Sequence, residues 1–257
     1  MTLTENELLR YKKHLQLQQV GRQGQQKLKE ASILVVGAGG LGSPVLMYLA
    51  GAGVGHITII DDDRVSLSNL SRQIIHTTNN LEVLKVESAR MRLQELNPEI
   101  QVDVQSVKLD SQNAEKFISG NWPVVDCTDN IDTRFLLNET CARLSIPLVY
   151  GAVFEFEGQI SVFDARRGPC LRCMIPEMPP DGALADPQLH GLLNTVPGVI
   201  GLLQATEVLK LILGIGQPLI GKLLLFDSLT ATLQTIRLNK RPDCPVCGRY
   251  ESHAKDY

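Results

Sequence analysis

Short runs of aliphatic residues alternate with helix-length stretches through the first 150 residues of the chain. The aliphatic runs are typical of buried strands, and the stretches between them carry apolar residues at helical spacing. The predicted strands are residues 33–36, 57–60, 101–107, 124–127 and 148–150, and the predicted helices are residues 43–52, 83–96 and 132–144. Regular alternation of strands and helices predicts an α/β fold with a doubly wound, mainly parallel sheet.

The pattern changes after Gly151. Residues 159–163, 223–226 and 232–238 are strand-like, and no full helix separates the last two, which predicts an antiparallel extension of the sheet. Residues 176–187 contain four prolines and one glycine and predict a mobile crossover loop. At the other end, residues 8–30 have the pattern of helical segments interrupted at Gly21 and Gly24. We therefore predict three parts: a helical segment (1–30), an α/β core (31–165) and a C-terminal part (166–257) that continues the core.

The most apolar stretch covers residues 196–216. Its length would suit a membrane span, but Gln204, Glu207 and Lys210 interrupt it and would be costly in lipid. We expect a largely buried helix of a globular domain that shows its polar residues along one stripe. No membrane partner is predicted.

Composition and charge fit an ordinary globular protein. Apolar residues make up 44% and charged residues 21%, and the formal net charge is −3 without a long basic run. A general nucleic-acid surface is therefore disfavoured. Residues 1–10 are polar and lack the basic start and apolar run of a secretory signal, which predicts a cytoplasmic protein.

A glycine motif follows the first predicted strand. Gly37, Gly39 and Gly42 form G-x-G-x-x-G directly before a predicted helix, and Asp61 ends the next strand. Such glycines permit a tight turn, the helix N-terminus favours phosphate, and the acidic side chain accepts hydrogen bonds from ribose hydroxyls. The pattern predicts a Rossmann-like nucleotide site; a turn that only packs helix on strand is the alternative.

The residues that follow favour phosphorus chemistry over hydride transfer. Asn69, Arg72 and Lys85 come after the second strand, and Asp129 follows the strand at residues 124–127. Two cations would stabilise negative charge that builds on phosphates, and a carboxylate would hold Mg²⁺. Each also has a plainer interpretation: Arg72 and Lys85 as solvated surface charges, and Asp129 as the cap of the next helix.

Four of the six cysteines form two C-x-x-C pairs. Cys170 and Cys173 pair with Cys244 and Cys247, and two such pairs predict a tetrahedral Zn²⁺ site with a structural role. Redox activity is the alternative. Cys127 and Cys141 lie in a predicted strand and helix and are expected to be buried apolar residues.

The chain resembles the MoeB, ThiF and HesA family of ubiquitin-activating-like adenylyltransferases. The resemblance rests on GAGGLGSP, the triplet Asp61 to Asp63, VSLSNLSRQ, LKVESAR and DCTDN, in that order, and it extends from RYKKH to CPVCG. It implies that Gly40 and Asp61 contact ATP, that Asn69, Arg72 and Lys85 surround its phosphates, and that Asp129 coordinates Mg²⁺. The full nucleotide set that we assign is Gly37, Gly39, Gly40, Gly42, Asp61, Asp63, Ser68, Asn69, Arg72, Lys85, Asp129 and Asn130.

The sequence departs from the family pattern at three places. Relatives have an arginine in the N-terminal R-Y-x-R motif that reaches the partner subunit's ATP, whereas Lys13 stands here and keeps the charge without the planar fork. Ser71 replaces the usual glutamine of N-L-Q-R-Q. No cysteine lies between Met174 and Val196, where ThiF-like enzymes carry one that bonds to the activated carrier.

The resemblance implies ATP-dependent adenylation of the C-terminal Gly-Gly carboxylate of a small ubiquitin-like sulfur carrier, MoaD-like or ThiS-like, with release of pyrophosphate. It further implies a homodimer in which Lys13 acts across subunits, and a sulfur donor such as a cysteine desulfurase or a rhodanese. The alternatives are a tRNA-modifying dehydratase of the same superfamily, an NAD-dependent oxidoreductase, and an inactive scaffold subunit.

Overall fold

The computed structural model describes residues 2–178, 180 and 190–248. The helices are α1 (Glu5–Arg10), α2 (Lys12–Leu15), α3 (Gly21–Glu30), α4 (Gly42–Ala52), α5 (Lys85–Leu96), α6 (Ala114–Ile118), α7 (Ile131–Leu144), α8 (Leu171–Met174) and α9 (Thr195–Leu213). The strands are β1 (Ser32–Val36), β2 (His56–Ile60), β3 (Gln101–Gln105), β4 (Val124–Asp126), β5 (Leu148–Phe154), β6 (Glu157–Phe163), β7 (Lys222–Asp227) and β8 (Thr232–Arg237).

All eight strands belong to one sheet in the order β3-β2-β1-β4-β5-β6-β7-β8. The pairs from β3 to β5 are parallel, and the pairs from β5 to β8 are antiparallel. The predicted fold, a doubly wound parallel sheet with an antiparallel extension, is therefore confirmed. The division into three parts stays a prediction, since the sheet passes from the core into the C-terminal part without interruption.

Helices cover both faces of the parallel half. In β1, Ile33 and Val35 pack with α4, α5 and α9 on one face, whereas Leu34 and Val36 pack with α6 and α7 on the other. Successive side chains of a strand point to opposite faces, so a continuous aliphatic run is what a strand covered on both sides requires. This double cover leaves the carboxyl edge of the strands as the open place for a ligand.

Two details differ from the sequence prediction. Gly24 lies inside α3 instead of interrupting it, because a Cβ there would come within 3.0 Å of Leu213 and the helix packs closely on the end of α9. The short helices α6 and α8 were not predicted: their five and four residues are too few to show helical periodicity.

Helix α9 is a core helix, but the prediction of an exposed polar stripe is wrong. It has the length and apolar composition of a membrane span, yet it packs on α4, β5 and β6. Gln204 and Glu207 are buried: the Gln204 amide donates to the carbonyl oxygens of Asp126 and Val149, and Glu207 accepts from the Leu219 N–H. Its polar groups thus satisfy backbone groups inside the domain.

The predicted crossover loop at residues 176–187 falls mainly outside the described residues. The chain is described again from His190, whose Nδ1 lies 3.1 Å from a carboxylate oxygen of Glu155. Asn194 then donates to the carbonyl oxygen of Ser71 at 3.1 Å. Residues 190–194 are therefore attached both to the sheet extension and to the loop that carries Arg72.

Candidate functional site

The predicted nucleotide residues follow three neighbouring strands. β2, β1 and β4 are adjacent and parallel, so the segments after them leave the same edge of the sheet. The chain turns toward opposite ends of the sheet after β1 and β4, which makes this the switch point where α/β folds bind ligands. The structure thus brings the glycine turn, the Asp61–Asp63 segment and the Thr128–Asn130 segment to one edge.

The glycine turn depends on Gly37. Its φ is +99°, and a Cβ there would lie 2.6 Å from the carbonyl oxygen of Cys127 at the end of β4. A Cβ added at Gly39 would lie 3.5 Å from the Gln73 amide, and one added at Gly40 would lie 3.2 Å from Pro197. Both positions therefore have more room than Gly37. The turn therefore packs tightly against the sheet, while its middle leaves backbone N–H groups near the N-terminus of α4, where phosphate is favoured.

Replacing Gly37 with alanine is expected to destabilise the protein by about 2 kcal/mol or more, because a left-handed φ and a backbone clash combine. Gly51, inside α4, is the matched control, since a Cβ added there would have no atom within 4 Å. Its replacement by alanine should leave the free energy of unfolding unchanged or raise it by up to about 1 kcal/mol. Urea unfolding of both variants measures the difference, and equal destabilisation would contradict it.

The acidic segment after β2, Asp61–Asp63, contacts a buried lysine. Asp61 accepts hydrogen bonds from the N–H groups of Ala38 and Asp63 at 2.8 and 2.9 Å. Burial raises the pKa of the Asp61 carboxyl, and the Lys85 ammonium opposes that rise. Lys85 itself is only 6% exposed, and its Nζ lies 2.7 Å from an Asp63 carboxylate oxygen. The interpretation of Lys85 as a solvated surface charge is therefore wrong.

Arg72 lies on the loop beside the glycine turn. Its Cγ is 3.6 Å from the Cβ position of Gly40, and its Nη1 donates to the carbonyl oxygen of Ser68 at 3.1 Å. Asn69 Oδ1 accepts from the N–H of Ser66 and helps to shape the same loop. The Arg72 side chain is half-buried, so it combines a fixed stem with an accessible charge. That arrangement suits a cation that meets a phosphate.

Asp129 and Asn130 divide the roles that the sequence left open. Asn130 is the N-cap of α7, where its Oδ1 accepts from the N–H of Thr133 at 2.9 Å. The interpretation of Asp129 as the helix cap is therefore wrong. Asp129 is exposed, next to this cap and at the carboxyl edge. An exposed carboxylate with no capping duty is the kind of ligand that Mg²⁺ takes alongside phosphate oxygens and water.

Sequence reasoning missed two charged residues beside Asp129. Asp126, the last residue of β4, is fully buried, and Arg134 of α7 donates to the carbonyl oxygen of Thr128 at 2.6 Å. The Arg134 guanidinium also lies 5.4 Å from the centre of the Tyr150 ring. Burial raises the pKa of the Asp126 carboxyl, and the Arg134 charge opposes that rise. Asp126 begins the DCTDN motif and ends a strand that was predicted to be buried, but only the fold shows its contact with Thr128.

Lys13 does not join this group within the single chain. It is exposed on α2, a helix that packs on α3. The action of Lys13 across subunits therefore stays a prediction.

The four paired cysteines converge as predicted. Their Sγ atoms all lie within 4.8 Å of one another, with 3.7 Å between Cys170 and Cys244 and 3.3 Å between Cys173 and Cys247. Four sulfurs about 2.3 Å from a tetrahedral Zn²⁺ would be about 3.8 Å apart, so the cluster fits this ion. Hydrogen bonds from Cys247 and Cys244 lower the pKa of the Cys170 thiol to about 5. Cys127 and Cys141 are buried, which raises the pKa of both thiols, as expected of apolar packing residues.

The fold is shared with solved structures at low sequence identity. A crystal structure of E. coli MccB with MccA-N7isoASN superposes with a TM-score of 0.83 at 23% identity, covering 96% of this chain and 76% of that one. A crystal structure of E. coli MccB with ATP gives a TM-score of 0.79 at 20% identity, covering 96% of this chain and 83% of that one. These likenesses concern the fold alone.

Relatives of known name are much more similar in sequence. The sulfur carrier protein adenylyltransferase of Thermus thermophilus is 46% identical, covering 96% of this chain and 93% of that protein. The SAMP-activating enzyme E1 of Haloferax volcanii is 42% identical, with 96% and 92% covered. The adenylyltransferase and sulfurtransferase MOCS3 of Culex quinquefasciatus is 47% identical, but this chain spans only 58% of its length. Residues 11–246 also match the model of the ThiF family. The chain therefore belongs to the ThiF family.

Proposed function

We propose that this protein uses ATP to adenylate the C-terminal Gly-Gly carboxylate of a small ubiquitin-like sulfur carrier and releases pyrophosphate. The observation that carries the proposal is the grouping of the glycine turn, Asp61, Arg72 and Lys85 at one edge of the sheet. Similarity to a sulfur carrier protein adenylyltransferase over 96% of the chain supports the choice of substrate class.

In this reaction a carboxylate oxygen of the carrier attacks the α-phosphorus of ATP, and the bond from that phosphorus to the pyrophosphate oxygen breaks. Asp61 retains lone pairs for ribose hydroxyls, since each of its oxygens accepts only one hydrogen bond within the described residues. Arg72 and Lys85 stabilise the negative charge that builds on the phosphates. Lys85 is paired with Asp63 at 2.7 Å, and a phosphate would take the place of Asp63 and keep the buried ammonium neutralised.

Two metal sites are part of this proposal, and the clustered cysteines support the one for Zn²⁺. Asp129 would hold Mg²⁺, which would neutralise phosphate charge and orient the leaving pyrophosphate. Cys170, Cys173, Cys244 and Cys247 would hold Zn²⁺. Four thiolates fill a tetrahedral shell and leave no position for a catalytic water, so the zinc would be structural.

An apolar patch at the sheet extension suits the carrier body. The patch consists of Phe154, Phe156, Leu193 and Leu229, which are between 40% and 72% exposed. The turns that bear these residues are joined, since Ser228 donates to the carbonyl oxygen of Phe156. β5 and β7 both run parallel to β1, so the patch lies at the same edge of the sheet as the nucleotide residues. Contiguous exposed apolar side chains at such a place favour a protein partner.

Replacing Leu229 with aspartate is expected to weaken carrier binding about tenfold or more, because a charge would be desolvated in the contact. Met91 on α5 is 51% exposed and outside the patch, so Met91→Asp is the matched control. Calorimetric titration with the carrier measures both variants. Unchanged affinity for Leu229→Asp, or an equal loss for the control, would argue against docking at the patch.

Several finer expectations belong to this proposal. The carrier is MoaD-like or ThiS-like, and the sulfur donor is a cysteine desulfurase or a rhodanese. The protein acts in the cytoplasm as a homodimer in which Lys13 reaches the partner's nucleotide. Because residues 174–196 contain no cysteine, the reaction stops at the acyl-adenylate or passes it to the donor without a loop-thiol intermediate.

ATP–pyrophosphate exchange tests the proposed function. We expect exchange of labelled pyrophosphate into ATP that depends on a carrier ending in Gly-Gly and disappears when the two glycines are deleted. Exchange that depends on tRNA in place of the carrier would favour the tRNA-modifying branch. The absence of any ATP-dependent exchange, together with reduction of NAD, would favour the oxidoreductase. The relatives named above favour neither alternative.

A further inference from the structure

Thr128, the residue before Asp129, is held from two sides. Asp126 Oδ1 accepts from the Thr128 N–H at 3.0 Å and from its Oγ1 at 2.7 Å. Arg134 Nη2 donates to the Thr128 carbonyl oxygen at 2.6 Å. Both backbone polar groups of Thr128 are thus bound to charged side chains, which form shorter and stronger hydrogen bonds than neutral ones.

Asp126 is fully buried and Arg134 is half-buried, and in the part of the chain that the structure describes each has a buried polar atom without a partner, at a cost that a simple turn would not require. Asp126 is 0% exposed, and within the described residues neither its Oδ2 nor the Arg134 Nε has a hydrogen-bond partner. Burying polar atoms of a carboxylate and a guanidinium without hydrogen-bond partners is unfavourable. A neutral side chain would shape the same turn at a lower desolvation cost, so the charged pair indicates a role beyond folding.

That role concerns the orientation of the Asp129 side chain. The Thr128 carbonyl belongs to the planar peptide that ends at the Asp129 Cα, so fixing the carbonyl fixes that plane. On its other side, Asn130 is held as the cap of α7. Asp129 therefore projects from a backbone that is fixed on both sides, although its own side chain is exposed.

We propose that Asp126 and Arg134 are positioning residues that hold Thr128 as a clamp and so direct the Asp129 carboxylate toward the metal and phosphates. The inference rests on the proposed function, because it assumes that Asp129 meets a metal–nucleotide complex. Neither residue touches the reacting atoms; both act through the backbone of Thr128.

Three variants of the intact protein test the clamp. Asp126→Ala removes both hydrogen bonds to Thr128, Thr128→Val removes only the hydroxyl bond, and Asp126→Asn keeps an oxygen that accepts both. Ser161→Ala is the matched control, since Ser161 is buried and its hydroxyl donates to the carbonyl oxygen of Lys222 outside the site. Two quantities are measured: amide hydrogen exchange of residues 128–130 without ligand, and binding of Mn²⁺ in the presence of ATP by electron paramagnetic resonance.

We expect Asp126→Ala to speed amide exchange and weaken Mn²⁺ binding about tenfold or more, as fits the loss of hydrogen bonds to a charged group. Thr128→Val and Asp126→Asn should both lie between this variant and wild type, since the first loses only the hydroxyl bond and the second keeps both bonds in a weaker, neutral form, and the control should change neither quantity. Thr128→Val decides the matter if Asp126→Ala does not fold.

If Asp126→Ala and Thr128→Val kept the amide exchange rates and the Mn²⁺ affinity of the wild type, the clamp would be overturned and the proposed function would stand. Equal losses in the Ser161→Ala control would likewise overturn it, since they would show a general loss of stability. If the wild-type protein did not bind Mn²⁺ with ATP and did not support pyrophosphate exchange, the proposed function would be overturned, and with it the role of the clamp.

Discussion

Replacing Asp129 with alanine is expected to lower carrier-dependent ATP–pyrophosphate exchange by about 10²–10³-fold, because charge stabilisation at the phosphates is lost. The fold should persist, since Asp129 is exposed and Asn130 caps the following helix. Zinc content and the unfolding midpoint should therefore match those of the wild type. Steady-state exchange at several Mg²⁺ concentrations measures the loss.

The control for this variant is Asp132→Ala. Asp132 is also exposed and lies in the first turn of α7, so the substitution removes the same charge a short distance away. It should retain most of the activity. Wild-type exchange in Asp129→Ala, or an equal loss in Asp132→Ala, would refute the assignment of Asp129 to the metal.

Replacing Cys244 with alanine is expected to abolish zinc binding and to cost several kcal/mol of stability, on the order of what small metal sites contribute to folding. The four sulfurs join residues 170–173 to residues 244–247, and the Arg241 N–H also donates to the Cys173 Sγ. Losing one thiolate should therefore release the C-terminal segment from the rest of the domain. Elemental analysis and thermal unfolding measure the two effects.

Cys141→Ala serves as the control for the zinc site. Cys141 is equally buried but is not one of the four clustered cysteines, so its loss should leave the zinc content at one ion per chain while lowering stability modestly. If Cys244→Ala retained its zinc, or if purified wild-type protein contained none, the cluster would not be the proposed metal site. Residual pyrophosphate exchange in Cys244→Ala would agree with a structural role.

The parallel half of the fold was predictable because its signals are local. Doubly covered strands such as residues 33–36 require continuous aliphatic runs, and Gly37 must stand where the turn meets the sheet. The pairing of the four cysteines was likewise predictable from spacing, and the structure confirms it. Helix α6 left no periodic signal because it is little more than one turn long.

The remaining features depend on contacts between distant segments. Gln204 and Glu207 looked like an exposed stripe, but backbone groups of β4, β5 and Leu219 meet them inside the domain. Asp126 and Arg134 gave no signal because their importance arises from their common contact with Thr128. The roles of Asp129 and Asn130 could not be separated by sequence, since either side chain is suited to cap a helix.

The single sheet also sets the distance between the apolar patch and the glycine turn. The order β1-β4-β5-β6-β7 puts the strand that precedes Leu229 four positions from the strand that precedes the glycine turn. At about 4.8 Å per strand this is a span of about 19 Å. An extended tail covers about 3.3 Å per residue, so a carrier seated on the apolar patch needs roughly six free residues to bring its last carboxylate to the phosphates. Tail length alone would then separate carriers that merely dock from those that become activated.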